Sequence, residues 1–116
     1  MLSESGDKVK RIVTRIDEIV IGPKFLTKYE KARIVAVRAM QLAQGAKPLI
    51  DVSKLDTKDP VLIAIKELES GVLPFVIKRE TPNGEYQLIP VKILIEHEKK
   101  KKMELAAKIP KTLVES

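Results

Sequence analysis

Asp51, Asp56 and Asp59 fall close together in the chain and are the nearest it comes to a hard-metal site. A calcium loop needs oxygen ligands at alternate positions around a sharp glycine turn, and this spacing does not supply them. Asp59 has a simpler use. It precedes Pro60 and an apolar run, so it is expected to cap a helix whose first position is proline. His97 is the single histidine and stands between Glu96 and Glu98. It is expected to be solvent-exposed and inert, because one imidazole without partners makes neither a zinc site nor a serine triad. The chain has no cysteine, which removes disulfides, thiolate nucleophiles, iron–sulfur clusters and Cys zinc sites together. Its five glycines are isolated, and none forms a GxGxxG or GxxxxGK phosphate loop. With no nucleophile–base pair in view, the expectation is no catalytic residue, no metal and no other cofactor on this chain.

The remaining chemistry is charge. Lys99 to Lys102 form an unbroken basic run. Four lysines would attract nucleic acid in a salt-dependent, sequence-blind way. Glu96, Glu98 and Glu104 dilute that field, so a solvated tail is the preferred reading. A free-standing basic nucleic-acid-binding module that uses this run is the competing one. With two Tyr, two Phe and no Trp, a base-stacking platform is poorly supplied.

A length of 116 residues fits one domain. Hydrophobic residues are 44% of the chain, enough to argue against a wholly disordered polypeptide, and the core they build must be aliphatic. The net charge is +6. Residues 1–21 carry four basic and four acidic groups, residues 22–91 eleven and eight, and residues 92–116 seven and four, so the basic excess is densest at the C-terminal end. No apolar run approaches the ~18 residues of a membrane span. The polar start Met1-Leu2-Ser3-Glu4-Ser5 does not read as a signal peptide. The expectation is a soluble, cytoplasmic protein with no membrane contact.

Elements follow from punctuation. Val9, Ile12, Val13, Ile16 and Val20 recur at helical steps, while Ile19-Val20-Ile21 suits an edge strand, and both readings stay open before the Gly22-Pro23 break. Thr27 and Glu30 form a capping box, and a helix is expected from there to about Gln44, closed by Gly45 and Pro48. Ala32, Ala36, Ala39 and Ala43 make a stripe of methyl groups along it. Tyr29, Val35, Met40 and Leu42 flank the stripe, and Glu30, Arg38 and Gln41 sit toward the opposite side. A second helix should run from Pro60 to Ser70 and stop at Gly71. Val61, Ala64, Ile65 and Leu68 share one of its faces, with Lys66, Glu67 and Glu69 as a narrow polar remainder. Phe75-Val76-Ile77, the Pro82-Asn83-Gly84 turn and Tyr86 to Val91 predict a hairpin. From Glu96 the chain is charged, and a Glu98–Lys102 pair would support a short helix. The end from Ile109 is expected to be mobile.

These elements define an α+β chain: a small, mainly helical core of two principal helices with a C-terminal two-stranded hairpin. The segments are residues 1–21, a partly ordered N-terminal extension; 22–95, the core; and 96–116, a basic tail. Helix two, the hairpin and the N-terminal segment could cover the alanine stripe. Even so, a domain this small buries only ~60–70% of its unfolded surface. Apolar surface left over on both helices points to a partner.

Two motifs carry a family resemblance. One is Gly22-Pro23-Lys24-Phe25-Leu26-Thr27-Lys28-Tyr29-Glu30-Lys31-Ala32-Arg33-Ile34 with Arg38-Ala39-Met40-Gln41-Leu42. The other is Asp59-Pro60-Val61-Leu62-Ile63-Ala64-Ile65-Lys66-Glu67-Leu68, followed by Leu73-Pro74-Phe75-Val76-Ile77-Lys78-Arg79. In this order, over about residues 20–95, they resemble the archaeal RNA polymerase subunit K family, relatives of the common sixth subunit of the eukaryotic nuclear polymerases and of bacterial omega. The resemblance implies an omega-like fold and a non-catalytic component of a nucleotidyltransferase complex. Such a component clasps the C-terminal part of the largest polymerase subunit, meets other polymerase subunits, promotes assembly and makes no sequence-specific nucleic-acid contact. Carried over by position, the gripping face would be Thr27, Tyr29, Glu30, Ala32, Arg33, Arg38, Ala39, Gln41 and Leu42. On this reading Thr27 and Glu30 fix the helix start, and Ala32 and Ala39 permit close approach. Arg33 and Arg38 offer forked bonds to partner carboxylates or chain-terminal carbonyls, and Gln41 pairs with partner backbone. Ala36 departs from the family, many of whose members have Gly there. A neutral, apolar-patterned segment stands where the eukaryotic relatives carry a long acidic tail, and the basic stretch after Ile95 lies outside the family core.

Overall fold

Thr27 starts the first long helix as the capping box requires. Its hydroxyl accepts the Glu30 amide at 3.1 Å, and the Glu30 carboxylate accepts the Thr27 amide at 2.9 Å. The structure is a computed structural model and describes residues 10–109. The helix, α1, spans Lys28–Ala43. Asp59 accepts the Val61 amide at 2.9 Å and caps α2, which spans Pro60–Ser70 with proline in its first turn. Gly71 ends α2 in the left-handed region at φ 75°, a conformation that a residue with a Cβ adopts only at a cost. Between the helices, Asp51 accepts both the amide and the hydroxyl of Ser53, closing a short 3-10 turn at Val52–Lys54.

The hairpin pairs β1, Val76–Glu80, with β2, Tyr86–Pro90, antiparallel, and sets Ile77 opposite Ile89 and Arg79 opposite Gln87. Period-two alternation sends Ile77, Arg79, Gln87 and Ile89 to the inner face. On the outer face Arg11 and Lys78 lie over the Tyr86 ring, 4.7 and 4.8 Å from its centroid.

A third helix, α3, spans Val91–Lys108. It begins earlier and runs longer than the charged stretch from Glu96 suggests, and it passes through the segment boundary at residue 95. The physical reason is a buried stripe at helical spacing, Val91, Leu94 and Ile95, which lies upstream of the lysines. Glu98 does not pair with Lys102. It reaches back to α1, accepting Lys31 Nζ and the Leu26 amide, both at 3.3 Å. His97 is half-buried rather than exposed. From Lys99 to Ile109 every residue is exposed. Residues beyond 109, where mobility is expected, lie outside the described residues, as do Met1 to Ser5 and Val9.

The N-terminal segment is neither of the two regular elements that its pattern allows. Ile12 makes a parallel bridge to Leu88, and a 3-10 turn follows at Ile16–Glu18. Val13 and Ile19 are buried, whereas Val20 is exposed. Gln87, fully buried, holds this segment with all its polar capacity. Its Oε1 accepts the Val20 and Ile21 amides at 3.0 and 3.1 Å, and its Nε2 donates to the Lys10 and Glu18 carbonyls, both at 2.8 Å. The Glu18 carboxylate closes the turn, and the Thr14 amide and the Lys10 ammonium hold its pKa down at about 2. Gln87→Met keeps the length and the backbone ladder but removes all four side-chain hydrogen bonds. It should cost about 1–3 kcal/mol, the usual loss when buried polar groups are left unpaired. Val20 and Ile21 amide exchange should accelerate first, and an unchanged exchange pattern would show that the lash is not needed.

The core joins these pieces: Val13, Ile19, Leu26, Ile34, Leu68, Leu73, Ile89, Val91, Leu94 and Ile95 form one cluster. It is aliphatic throughout, and Phe75 and Ile77 pack on it from its edge.

Candidate partner-binding face

Helix α1 is the wall on which the candidate residues stand, and two ion pairs fix it, one buried and one partly buried. The first joins α1 to α2. Arg38 Nε donates to Glu67 Oε1 and Arg38 Nη2 to Glu67 Oε2 at 3.0 Å, a two-pronged pair. Arg38 also donates to the Lys47 carbonyl at 3.0 Å and to Gln41 Oε1 at 3.2 Å. Glu67 is fully buried and accepts the Leu49 amide at 2.6 Å as well. Burial pushes its carboxyl pKa up, but the Arg38 fork and the Leu49 amide outweigh that and leave it below the ordinary 4.5.

The second pair joins α1 to the hairpin. Arg79 Nε and Nη2 donate to the two oxygens of Glu30, both at 2.9 Å. Its remaining hydrogens go to the carbonyls of Ile21 at 3.1 Å, Phe25 at 2.8 Å and Pro23. One guanidinium therefore gathers the Gly22-Pro23 break, the start of α1 and β1. Gly22 leaves room for it: a Cβ there would stand 2.9 Å from Arg79 Nη1, and its φ is +80°. Burial raises the Glu30 pKa, and the Arg79 fork with the Thr27 amide more than reverses the shift.

These pairs sort the expected gripping residues. Tyr29, Ala32 and Arg33 are exposed, and Thr27, Glu30, Gln41 and Leu42 are half-buried. Arg38 and Ala39 are buried, at 7% and 8% exposure. The role foreseen for Arg38 is thus corrected in this chain, because its fork is filled by Glu67 and does not face outward. Gln41 accepts from Arg38, and Glu30 is shared between the cap and Arg79. The side of α1 that carries Glu30, Arg38 and Gln41 turns inward, with Ile34 between them, whereas Ala32 and Ala36 are exposed. The face of α2 shifts likewise: Ile63, Ala64, Glu67 and Leu68 are buried, and Val61 stays 47% exposed. Glu67, read from the sequence as polar surface, goes inside because Arg38 meets it.

Two grooves flank α1. A cavity of 740 Å³ opens between the three helices, floored by Ala32, Ala36, Val61 and Ile65 and rimmed by Lys31 and Lys99. Such a floor suits an apolar partner segment, and the small α1 residues allow it to come close. The other groove lies between α1 and β1. Among the described residues no group of three His, Asp or Glu side chains could hold a metal, and no helix is long and apolar enough to cross a membrane.

Sequence reasoning missed Glu67, Arg79 and Gln87 as fixing residues. The strand period held a signal for two of them, since Arg79 shares a face with Ile77 and Gln87 with Ile89.

Residues 21–75 match the family model described as RNA polymerase Rpb6. The chain is 43% identical over 101 residues to DNA-directed RNA polymerase subunit Rpo6 of Pyrobaculum aerophilum, a match covering 84% of this chain and 95% of that protein. Rpo6 of Thermofilum pendens is 51% identical over 64% of this chain and 90% of its own length. Rpo6 of Sulfolobus acidocaldarius is 55% identical over 58% of this chain and 75% of its own. With a relative this similar matched along nearly its whole length, the chain belongs to the RNA polymerase Rpb6 family, of which the archaeal Rpo6 proteins are members.

Proposed function

We propose that this chain is a non-catalytic subunit of a multisubunit DNA-directed RNA polymerase. It works in the cytoplasm, clasps the C-terminal part of the largest subunit and promotes assembly and stability of the enzyme. The core, residues 22–95, carries the role. One conjunction supports the reading above all: the stretch that matches the family, residues 21–75, includes α1, α2 and the floor of the open apolar groove. Tyr29, Ala32 and Arg33 are the α1 residues available for contact. Thr27, Glu30, Arg38, Ala39, Gln41 and Leu42 serve by holding that surface in shape. The nucleotidyl-transfer chemistry belongs to the large subunits.

The test replaces Lys99, on the rim of the groove, with a photo-cross-linking phenylalanine analogue in the host and purifies the polymerase after nuclease treatment and a high-salt wash. Cross-links should map to the C-terminal part of the largest subunit. Failure to retain any large subunit, or cross-links wholly in other subunits, would overturn the clasp.

A further inference from the structure

The hairpin leaves one edge open. On the far side of β2 the N-terminal segment occupies the edge. There the Leu88 amide donates to the Arg11 carbonyl at 2.6 Å, and the Val13 amide to the Leu88 carbonyl at 3.0 Å. Among the described residues nothing plays that part on β1. Val91 donates to the Phe75 carbonyl at 2.9 Å and Thr81 to the Glu85 carbonyl at 2.8 Å. Antiparallel alternation then directs the backbone groups of Phe75, Ile77, Arg79 and Thr81 to β2. Those of Val76, Lys78 and Glu80 point the other way, and no loop or side-chain hydrogen bond among the described residues uses them.

Beside this edge lies the second groove, a cavity of 480 Å³ between α1 and β1, lined by Tyr29, Arg33, Val37, Phe75 and Val76 among others. Tyr29 is 72% exposed, Val76 56% and Val37 50%, so apolar surface and unpaired strand backbone coincide. The charge there is one-sided. Glu30 is consumed by Arg79 and Glu80 by Lys78, at 3.8 Å. Arg33 has no ion-pair partner among the described residues. β1 has no proline to blunt its edge, and the two charges beside it neutralise one another.

We propose that the open edge of β1 receives an extended acidic segment of a polymerase partner subunit as an added strand, its carboxylate meeting Arg33 and an apolar side chain resting on Tyr29 and Val37. Main-chain hydrogen bonds supply affinity in such a junction, and the side-chain groove supplies selectivity. The inference rests on the polymerase-subunit reading and adds a second contact, distinct from the groove between the helices.

Lys78→Pro tests it. Proline there removes one outward-facing N–H and leaves the β1–β2 ladder intact, the placement at which strands tolerate it. Lys78→Thr removes the same charge and keeps the N–H. Full-length chains compete for incorporation into host polymerase stripped of this subunit. If the wild-type chain itself does not incorporate, the polymerase-subunit reading fails, and the edge proposal with it. If wild type and Lys78→Thr incorporate and Lys78→Pro falls at least about tenfold behind, the strand junction is supported. Equal incorporation of the two variants overturns it while leaving the subunit role standing. Should Lys78→Pro fail to fold, Val76→Pro, which removes the neighbouring outward-facing N–H at the first position of β1, is compared with Val76→Thr. A deficit of about tenfold in that proline variant supports the junction, and equal incorporation of the two overturns it. A self-association abolished by Lys78→Pro with unchanged incorporation would make a second copy the occupant, and would also overturn it.

Discussion

Arg38→Ala is expected to lower stability by about 3–5 kcal/mol, a large fraction of the ~5–15 kcal/mol that holds a typical domain together. The loss comes from the carboxylate left behind. Glu67 is fully buried between α1 and α2, and without the guanidinium it keeps only the Leu49 amide as a donor. Glu67→Ala should cost a similar amount, because it strands the cation instead. The double alanine variant should be much less destabilised than the sum, and a volume-matched Met and Leu pair should recover most of the loss. Urea unfolding measures all four. A cost below about 1 kcal/mol for Arg38→Ala would place the pair among weak surface bridges and refute its role as a staple. Acid acts in the same direction. The Glu67 pKa is lowered on folding, so its contribution is complete above the ordinary 4.5 and fades as pH falls below it. Arg38→Ala should therefore flatten the acid limb of the stability curve. Any effect of this variant on polymerase assembly would pass through the α1–α2 geometry, since the guanidinium is sealed inside.

Arg79→Lys is expected to cost about 2–4 kcal/mol although it keeps the charge. An ammonium is a point charge with three donors on a flexible stem and cannot reproduce a planar fork. Arg79 serves both Glu30 oxygens and the carbonyls of Ile21, Pro23 and Phe25, and lysine, with three donors, would lose at least two of these charge-assisted hydrogen bonds, each worth about 1.5–3 kcal/mol at most in this partly exposed setting. The damage should be local. Amide exchange should quicken first at the start of α1, while α2 keeps its protection. A lysine variant as stable as the wild type, with unchanged exchange there, would show that charge suffices.

Local chemistry was legible in the sequence wherever it was self-contained. Thr27 with Glu30 and Asp59 with Pro60 each carry their signal within four residues, and both helices begin where those signals place them. The Pro82-Asn83-Gly84 turn likewise names its hairpin. Three things were not legible, for one physical reason: the partner lies far along the chain. Arg38 meets Glu67 across 29 residues, Arg79 meets Glu30 across 49, and Gln87 meets Val20 across 67. Each is a polar residue taken inside by a complement that no local window contains; the strand period hints at the face that Arg79 and Gln87 take, but not at what satisfies them there. The early start of α3 is a different miss. Its buried stripe adjoins a strand of similar composition, and the lysine run draws attention past it. Of the candidate face, the exposure of Tyr29, Ala32 and Arg33 followed from helical geometry once the inward ions were known.

The lash between Gln87 and the N-terminal segment bears on the order in which a ribosome can complete this molecule. Lys10 is polymerised first and its hydrogen-bonding partner Gln87 comes 77 residues later. At about 5–20 residues per second that is a wait of roughly 4–15 s, during which Val13 and Ile19 have no β2 to lie against. The two helices are complete well before then and can hold one another through Arg38 and Glu67. The N-terminal segment thus leaves the ribosome before the strand it lies against and finds its place late, and the newborn α1–α2 pair waits roughly 1–3 s, the time to add the residues from Ser70 to Gln87, with its hairpin side uncovered.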